Sequence, residues 1–230
     1  MGEDKLVPQI ERPSSLAVLV YEQLRELIIS ETFEAGERLK ETDLGSLLNV
    51  SRTPVREALF RLCQDGLVTQ SLGRFMVPVP ELRDVQEVFA MRLLLEPAAV
   101  AEVARDMREQ DLGRFRQARD HFLNAEDFAV ALKANVTFRR MWRDQIPNRR
   151  LRDTLNMLDD QIVMIRRATL TNANARALAE EITCQLVSAF ENRDAAAARS
   201  AMTQFLNGAA VYSERMILNR EEKEGAFGKR

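Results

Sequence analysis

Two arginines, Arg52 and Arg56, lie one helical turn apart at the start of a segment whose pattern predicts a helix. Ser51 stands in front of them as an N-cap residue, and Pro54 falls in the first turn, where its missing N–H costs little. Guanidinium groups donate paired hydrogen bonds to guanine edges and to phosphates, and a helix N-terminus favours anions. The segment therefore predicts a surface that reads DNA.

The opposite face of this segment is apolar, because Val55, Leu59 and Leu62 recur at helical spacing and must be buried. Residues 41–48 predict a second short helix, and residues 49–50 form a tight turn between the two. Two short helices joined in this way make a helix-turn-helix, whose second helix enters the major groove. The arginine pair would then lie on a recognition helix.

The flanking residues complete this module. Ser14 or Ser15 can cap an upstream helix, and residues 67–70 and 74–77 predict a small β-hairpin with Gly73 and Arg74 at its tip. The tip could reach the neighbouring minor groove or the phosphate backbone. The alternative is that Arg52 and Arg56 form ordinary solvated ion pairs, but the ordered set of helix, turn and hairpin favours DNA binding.

Residues 16–77 resemble the winged helix-turn-helix of GntR-type bacterial transcription regulators. The resemblance rests on four motifs: AGERL at 35–39, ETDL at 41–44, VSRTPVREAL at 50–59 and DGLV at 65–68. It implies that Arg52 and Arg56 contact DNA. It also implies five secondary DNA-binding residues: Thr42, Ser51, Thr53, Gly73 and Arg74.

Composition limits how the protein can attract a nucleic acid. With 230 residues and a net charge of −2, the chain is long enough for two domains but is not basic overall. DNA affinity must therefore come from a local patch and should fall steeply with salt.

Cys63 and Cys184 lie in apolar helical patterns and are interpreted as reduced core cysteines. With neither a membrane span nor a signal peptide in view, we expect a cytoplasmic protein.

The second half of the chain predicts a mostly α-helical bundle. Pro78 and Pro80 mark the domain boundary, and glycine and proline are scarce from 81 to 219. Six antiparallel helices are predicted near 82–106, 110–124, 127–145, 149–170, 175–191 and 194–219. The predicted division is a flexible arm at 1–14, a winged helix-turn-helix at 15–78, a linker at 79–81, an effector-binding and dimerisation domain at 82–219 and a frayed tail at 220–230.

This half resembles the helical effector-binding domain of the FadR subgroup, through VFAMRLLLE at 88–96, PNRRL at 147–151 and AFENRDAAAA at 189–198. Many members hold a divalent metal with one aspartate and three histidines. The resemblance places those four ligands at Asn135, Arg139, Thr183 and Phe205. None of these side chains suits zinc or a similar ion, so neither a metal nor another cofactor is predicted. The single histidine, His121, is interpreted as structural.

What replaces the metal has two interpretations. If Arg139 faces the bundle interior, its guanidinium group needs an anionic partner, because an unpaired buried charge costs several kcal/mol. That partner could be a carboxylate or phosphate effector, bound by Arg139 and Arg92 with Asn135 and Thr183 beside them. It could equally be an internal carboxylate such as Glu96, with no ligand at all.

No nucleophile with an adjacent base and no glycine-rich phosphate loop is recognisable, so the sequence does not predict an enzyme. It predicts a sequence-specific transcription regulator, with repression as the expected mode. A homodimer would bind a palindromic operator, and a small organic acid would control its affinity without a metal. The alternatives are a DNA-binding dimer that ignores small molecules and a helical protein–protein adaptor.

Overall fold

The computed structural model describes residues 15–30 and 32–227, apart from the side chains of 15, 163–168, 221 and 223–227. The chain divides into two compact units, Met1–Val79 and Pro80–Arg230. The first is called the head and the second the helical unit. The arm expected at 1–14 lies outside the described residues.

The head contains three helices and a small antiparallel sheet. Its elements are α1 (Ser15–Ile29), β1 (Arg38–Leu39), α2 (Glu41–Leu48), α3 (Arg52–Gln64), β2 (Thr69–Ser71) and β3 (Arg74–Met76). The strand order is β1-β3-β2, so β3 pairs on both sides, with Phe75 opposite Leu39 and Gln70. The hairpin of β2 and β3 was predicted. The strand β1 was not, because two residues show no alternation and are set by pairing alone.

The apolar stripes of α1 and α3 form the core of the head. Leu24 and Ile28 of α1 and Val55 and Leu59 of α3 are completely buried. One polar contact adds to this packing: the hydroxyl of Tyr21 donates to a carboxylate oxygen of Asp65 at 2.7 Å. This bond ties α1 to the residue that ends α3, so the support behind the recognition helix is rigid.

The turn between α2 and α3 has tight backbone geometry. Asn49 ends α2 with a left-handed backbone at φ 52°, and the N–H of Val50 donates to the carbonyl of Gly45. A Cβ atom at Gly45 would lie 3.0 Å from the carbonyl oxygen of Val50. A glycine at 45 therefore lets the chain reverse closely enough to place α3 across α2.

The helical unit consists of six helices in the part of the chain that the structure describes. They are α4 (Leu82–Arg105), α5 (Glu109–Leu123), α6 (Phe128–Asp144), α7 (Arg149–Leu170), α8 (Ala173–Glu191) and α9 (Ala195–Phe227). The predicted fold class, a winged helix-turn-helix followed by a helical domain, is confirmed. No described helix is long and apolar enough to cross a bilayer.

The main difference from the predicted helices is the length of α9, which continues to Phe227 where a frayed tail was expected after Asn219. Residues 220–224 are Arg, Glu and Lys, which favour helix, and Arg220 donates a hydrogen bond to the carbonyl of Pro80. The two cysteines also differ from expectation, since Cys63 and Cys184 are free but only half-buried.

The core of the helical unit is aromatic at its centre. The ring of Phe115 on α5 meets Phe138 of α6 and Phe190 of α8 edge-on, with ring centroids 5.9 and 5.0 Å apart. Trp142, the single tryptophan, is completely buried in the same cluster. These contacts hold α5, α6 and α8 together around the polar groups described next.

Candidate nucleic-acid interface and buried charge cluster

The recognition helix α3 presents both predicted arginines to solvent. Their side chains are 69% exposed for Arg52 and 62% for Arg56. Both lie against one carboxylate, Glu41 at the start of α2. Nη2 of Arg52 is 3.2 Å from Oε2 of Glu41, and Nε of Arg56 is 3.7 Å from Oε1. A single carboxylate, only 18% exposed, thus holds the two guanidinium groups on the same surface.

Three of the secondary DNA-binding candidates surround this pair. Thr42 and Ser51 line a shallow concave surface together with Arg52, and Thr53 is exposed one residue further along α3. Ser51 stands at the N-cap position with extended backbone, but its hydroxyl makes no capping bond within the described residues. The N-cap position predicted for Ser51 is confirmed, but the predicted side-chain hydrogen bond is not formed, which leaves the hydroxyl able to contact a ligand.

The wing carries the remaining candidates. Gly73 sits at the hairpin tip with φ 72°, and Arg74 beside it is exposed. Phe75, by contrast, is buried, and its ring meets Phe60 of α3 edge-on at 5.4 Å. The guanidinium of Arg56 lies 5.7 Å from the centre of the Phe60 ring. A continuous set of contacts therefore fixes the wing against the exposed side of the recognition helix.

Sequence reasoning did not assign a role to Glu41. An acidic residue in the first turn of a helix is common for reasons of the helix dipole alone, so its type gave no signal. Its function as partner of both arginines depends on how α2 and α3 cross. That crossing brings Glu41 to Arg52, eleven positions away in sequence.

A second concentration of charge lies inside the helical unit. Five residues, called here the buried charge cluster, are each at most 4% exposed: Arg92, Glu96, Arg139, Arg143 and Asp159. Nε of Arg92 donates to Glu96 at 2.6 Å, and Nη2 of Arg139 donates to the other Glu96 oxygen at 2.9 Å. Nε of Arg139 and Nη2 of Arg143 donate to Asp159 at 3.4 and 2.8 Å.

Arg139 faces the bundle interior, and the cluster supplies its anionic partners. Of the two interpretations of this residue, the internal ion pair is the arrangement present, with Glu96 and also Asp159 as partners. Its guanidinium lies 5.0 Å from the ring of Phe205, the position where the family resemblance places a metal ligand. The hydroxyl of Thr183 donates to the carbonyl of Ala179 within its own helix.

The charges in the cluster do not balance. Among its described members, three guanidinium groups face two carboxylates. Nη2 of Arg92 and Nη1 of Arg143 are buried without a hydrogen-bond partner in the described part of the chain. Burial lowers the pKa of Arg92 despite the carboxylate of Glu96 beside it. Burial would raise the pKa of Glu96, but Arg92 and Arg139 more than offset it and hold that pKa below its usual value.

A small cavity adjoins this excess positive charge. Its volume is about 30 Å³, and its polar lining comes from Arg92, Asn135, Thr169 and Ser213. The rest of the lining consists of Phe89, Ile162, Leu170, Leu178, Phe205, the ring of Tyr212 and three alanines, Ala175, Ala179 and Ala209. The volume matches one water molecule. Of the four predicted effector residues, Arg92 and Asn135 line this cavity, and Arg139 and Thr183 lie outside it.

The site does not fit a divalent metal. The four positions indicated by the family resemblance carry an amide, a guanidinium, a hydroxyl and a phenyl ring, of which none is a strong ligand for a transition metal. Two further guanidinium groups lie in the same cluster and would repel a cation. No three His, Cys, Asp or Glu side chains of the described residues converge on a common point.

Comparison with known families matches both units. Residues 16–74 match the family described as bacterial regulatory proteins, gntR family, and residues 87–208 match the FCD domain. The transcriptional regulator YdhC of Bacillus subtilis is 29% identical over 67% of this chain and 71% of its own length. The gluconate operon transcriptional repressor of the same organism is 34% identical, over 36% of this chain and 34% of its own.

A solved structure shows the same fold. The structure of McbR/YncC from Escherichia coli superimposes with a TM-score of 0.77 and 22% identity, covering 89% of this chain and 99% of that one. At 22% identity, this match shows that the two proteins share a fold and shows nothing further about function.

Glu41→Gln should weaken the discrimination between specific and random DNA. A neutral amide cannot hold both arginines, and one negative charge leaves the surface that faces the phosphates. We expect affinity for random duplex to rise, with its salt dependence steeper by about one counterion, while the ratio of specific to random affinity falls. Anisotropy titrations over a salt series measure both quantities. Glu57→Gln, which removes an exposed carboxylate from α3, is the matched control. Equal discrimination ratios for the two variants would contradict the role of Glu41.

Glu96→Gln should destabilise the helical unit strongly. Two guanidinium groups share this carboxylate, and leaving them uncompensated in the interior costs about 3–5 kcal/mol. Urea unfolding followed by the fluorescence of Trp142 measures the change. The control is Glu87→Gln, which breaks an exposed pair with Arg83 at the same spacing on the same helix and should leave the unfolding free energy unchanged. Similar unfolding curves for both variants would show that the buried charge cluster contributes nothing to stability.

Proposed function

Because this chain belongs to the gntR family of bacterial regulatory proteins and carries an FCD domain, we propose that it represses transcription as a homodimer on a two-fold symmetric operator. The chain is a DNA-binding transcriptional regulator, and the relatives it matches are named as regulators and not as enzymes. Repression is supported by the similarity of about a third of the chain to a protein named as the repressor of the gluconate operon. Its place of action would be the cytoplasm, where bacterial DNA is.

The observation that carries the DNA-binding mechanism is the exposed arginine pair at the N-terminus of α3. Arg52 and Arg56 project from one surface, where a guanidinium group can donate two parallel hydrogen bonds to a guanine. Phosphate or guanine oxygens would replace the carboxylate of Glu41 as their acceptors. Thr42, Ser51 and Thr53 would donate to the adjoining phosphates and fix the register of the helix.

A dimer follows from the geometry of such recognition. One helix of the size of α3 reads only a few base pairs, and two copies related by a two-fold axis read the two halves of a palindrome. The FCD unit would join the copies. Gly73 and Arg74 of each wing would lie on the DNA beside each half-site.

We further propose that a small anionic metabolite controls this binding from the helical unit, with Arg92 as its principal contact. Arg92 is buried, its Nη2 group has no hydrogen-bond partner among the described residues, and its cluster carries an excess positive charge. A carboxylate placed there would remove the cost of the uncompensated guanidinium and would add two charge-assisted hydrogen bonds. Asn135 lines the same cavity and can donate to the same anion.

The size of the cavity determines how such a ligand would act. About 30 Å³ accommodates one water-sized group, so any organic acid must displace the apolar wall formed by Leu178, Phe205 and Tyr212. These side chains come from α8 and α9, and Arg92 from α4. Ligand entry would therefore separate these helices. The ligand would then bind the open and closed conformations with different affinities, as a regulatory ligand must.

A DNA-binding dimer that ignores small molecules is the second candidate. It is favoured by two observations: Arg139 is already paired with internal carboxylates, and the cavity beside Arg92 has a volume of only about 30 Å³. The two candidates differ in whether a carboxylate stabilises the fold, so measuring the melting temperature with added carboxylates distinguishes them.

Arg52→Ala and Arg56→Ala should each weaken operator binding by roughly 1–3 kcal/mol. Loss of an arginine that reads a base also relaxes the sequence preference at one position, whereas loss of a phosphate contact weakens all sequences alike. Mobility-shift titrations on duplexes selected by the wild-type protein from a random pool measure both effects. Arg105→Ala, which removes an exposed arginine of the helical unit, is the control. Wild-type affinity in both head variants would refute the assignment of this surface.

A carboxylate effector should raise the melting temperature of the helical unit, and Arg92→Gln should abolish the shift. At about 100 times its Kd a ligand adds roughly 2.7 kcal/mol, enough to move the midpoint by several degrees. The panel would run from formate and acetate to succinate and citrate. Arg92→Gln leaves two guanidinium groups against two carboxylates, so the unliganded fold should persist. If no acid shifts the melting midpoint of the wild type, the protein is a DNA-binding dimer that does not respond to small molecules.

A further inference from the structure

The tip of the wing exposes a large apolar side chain in an unusual conformation. Ser71 and Arg74 pair across the hairpin, so Leu72 and Gly73 form its two-residue turn. Both have positive φ, 50° for Leu72 and 72° for Gly73. Leu72 is 94% exposed, more than any other large hydrophobic residue in the part of the chain that the structure describes.

Neither the turn nor the core of the head explains a leucine here. Two-residue hairpin turns with both φ values positive favour asparagine, aspartate or glycine at the first position, because a bulky side chain is disfavoured in the left-handed region. Asparagine would make the better turn and would expose no apolar surface. A residue that breaks a local preference without gaining burial is the kind found at functional sites.

The wing is placed so that this side chain lies near the DNA-reading surface. Phe75 of β3 packs against Phe60 of α3, and Phe60 lies beside Arg56. From Phe75 to Leu72 the chain runs three residues, which at the rise of a strand is about 10 Å. With α3 in the major groove, a tip at this distance would reach the flanking backbone and the minor groove beyond it. Arg74, exposed next to the tip, can pair with a phosphate there.

We propose that Leu72 is an apolar wedge that enters the minor groove beside each half-site and lies against a base step. This inference rests on the DNA-binding function proposed for the head. A leucine cannot recognise the hydrogen-bonding groups of the groove, but apolar side chains in the minor groove partly unstack a base step and bend the duplex. The step that opens most readily is a pyrimidine–purine step such as TA or CA.

The wedge therefore assigns a specificity role that hydrogen bonds do not supply. Arg52 and Arg56 would read bases in the major groove directly, while Leu72 would select the deformability of a flanking step. A flexible step at that position then contributes to affinity although no polar group of the protein contacts it. The wing would then contribute to specificity through the deformability of the DNA, in addition to the contact of Arg74 with a phosphate.

The test compares two substitutions at the same position. Leu72→Asn removes the apolar side chain and supplies the residue that this turn prefers, so the head should fold at least as well as the wild type. Leu72→Met keeps an apolar side chain of similar size and should retain the wedge. Leu47→Asn, which replaces a 61% exposed leucine on α2, controls for the loss of an exposed apolar residue. Thermal unfolding of each variant verifies its fold.

The DNA probes are duplexes that the wild-type protein selects from a random pool, with the minor-groove contact located by hydroxyl-radical footprinting. A matched pair of duplexes then carries TA or GC at that step. We expect the wild type and Leu72→Met to bind the TA duplex about tenfold more tightly than the GC duplex. Leu72→Asn should bind both equally weakly. The fluorescence of 2-aminopurine at the step should rise with the wild type and stay unchanged with Leu72→Asn.

Each other outcome has a distinct meaning. If Leu72→Asn keeps wild-type affinity and the preference for TA, the wedge is wrong while the DNA-binding function stands. If Leu72→Asn weakens both duplexes but keeps the preference, Leu72 only supports a backbone contact, and the wedge is again overturned. If the wild type selects no duplex at low salt, the DNA-binding function and the wedge fail together.

Discussion

Pairing between carboxylates and guanidinium groups organises both units of this protein, and the surrounding solvent determines what each pairing does. At the head, Glu41 holds Arg52 and Arg56 where water screens the attraction, so the contact orients the two side chains and is easily exchanged. In the helical unit, Glu96 and Asp159 hold three arginines where almost no water reaches. There the same chemistry stabilises the fold only if every charge is matched, because desolvation is expensive.

Under the proposed effector binding, the charge mismatch in the buried charge cluster would connect the stability of the fold with regulation. One excess guanidinium charge and an unpartnered Nη2 group on Arg92 leave the interior short of one anion within the described residues. A fold that carries such a deficit gains stability from any anion that can reach it. The four positions indicated by the family resemblance carry side chains that are not strong metal ligands, and three guanidinium groups lie in the same cluster. This chemistry favours an anion over a cation at that location.

The head shows how a recognition surface is built from parts of different rigidity. The close turn at Gly45 and Asn49 and the bond from Tyr21 to Asp65 fix the recognition helix from behind. The contact between Phe60 and Phe75 fixes the wing against its exposed side. The side chains of Arg52 and Arg56 on the helix and of Leu72 at the end of the hairpin remain largely exposed to solvent. A rigid support with exposed ends suits a surface that must meet a duplex in one register.

Local sequence patterns predict most of the secondary structure. Scarce glycine and proline, apolar residues at helical spacing and turn residues between them located most helices to within a few residues, because these signals are local, although α9 continues well beyond Asn219. The sequence also indicated Arg52 and Arg56, because two arginines one helical turn apart are typical of hydrogen bonding to bases and phosphates. Which side chains come into contact depends on the tertiary structure. The pairing of Glu41 with both arginines, the choice of Glu96 and Asp159 as partners of Arg139, and the short strand β1 all join residues distant in sequence. Such contacts depend on how elements cross, and no local pattern of residues encodes a crossing.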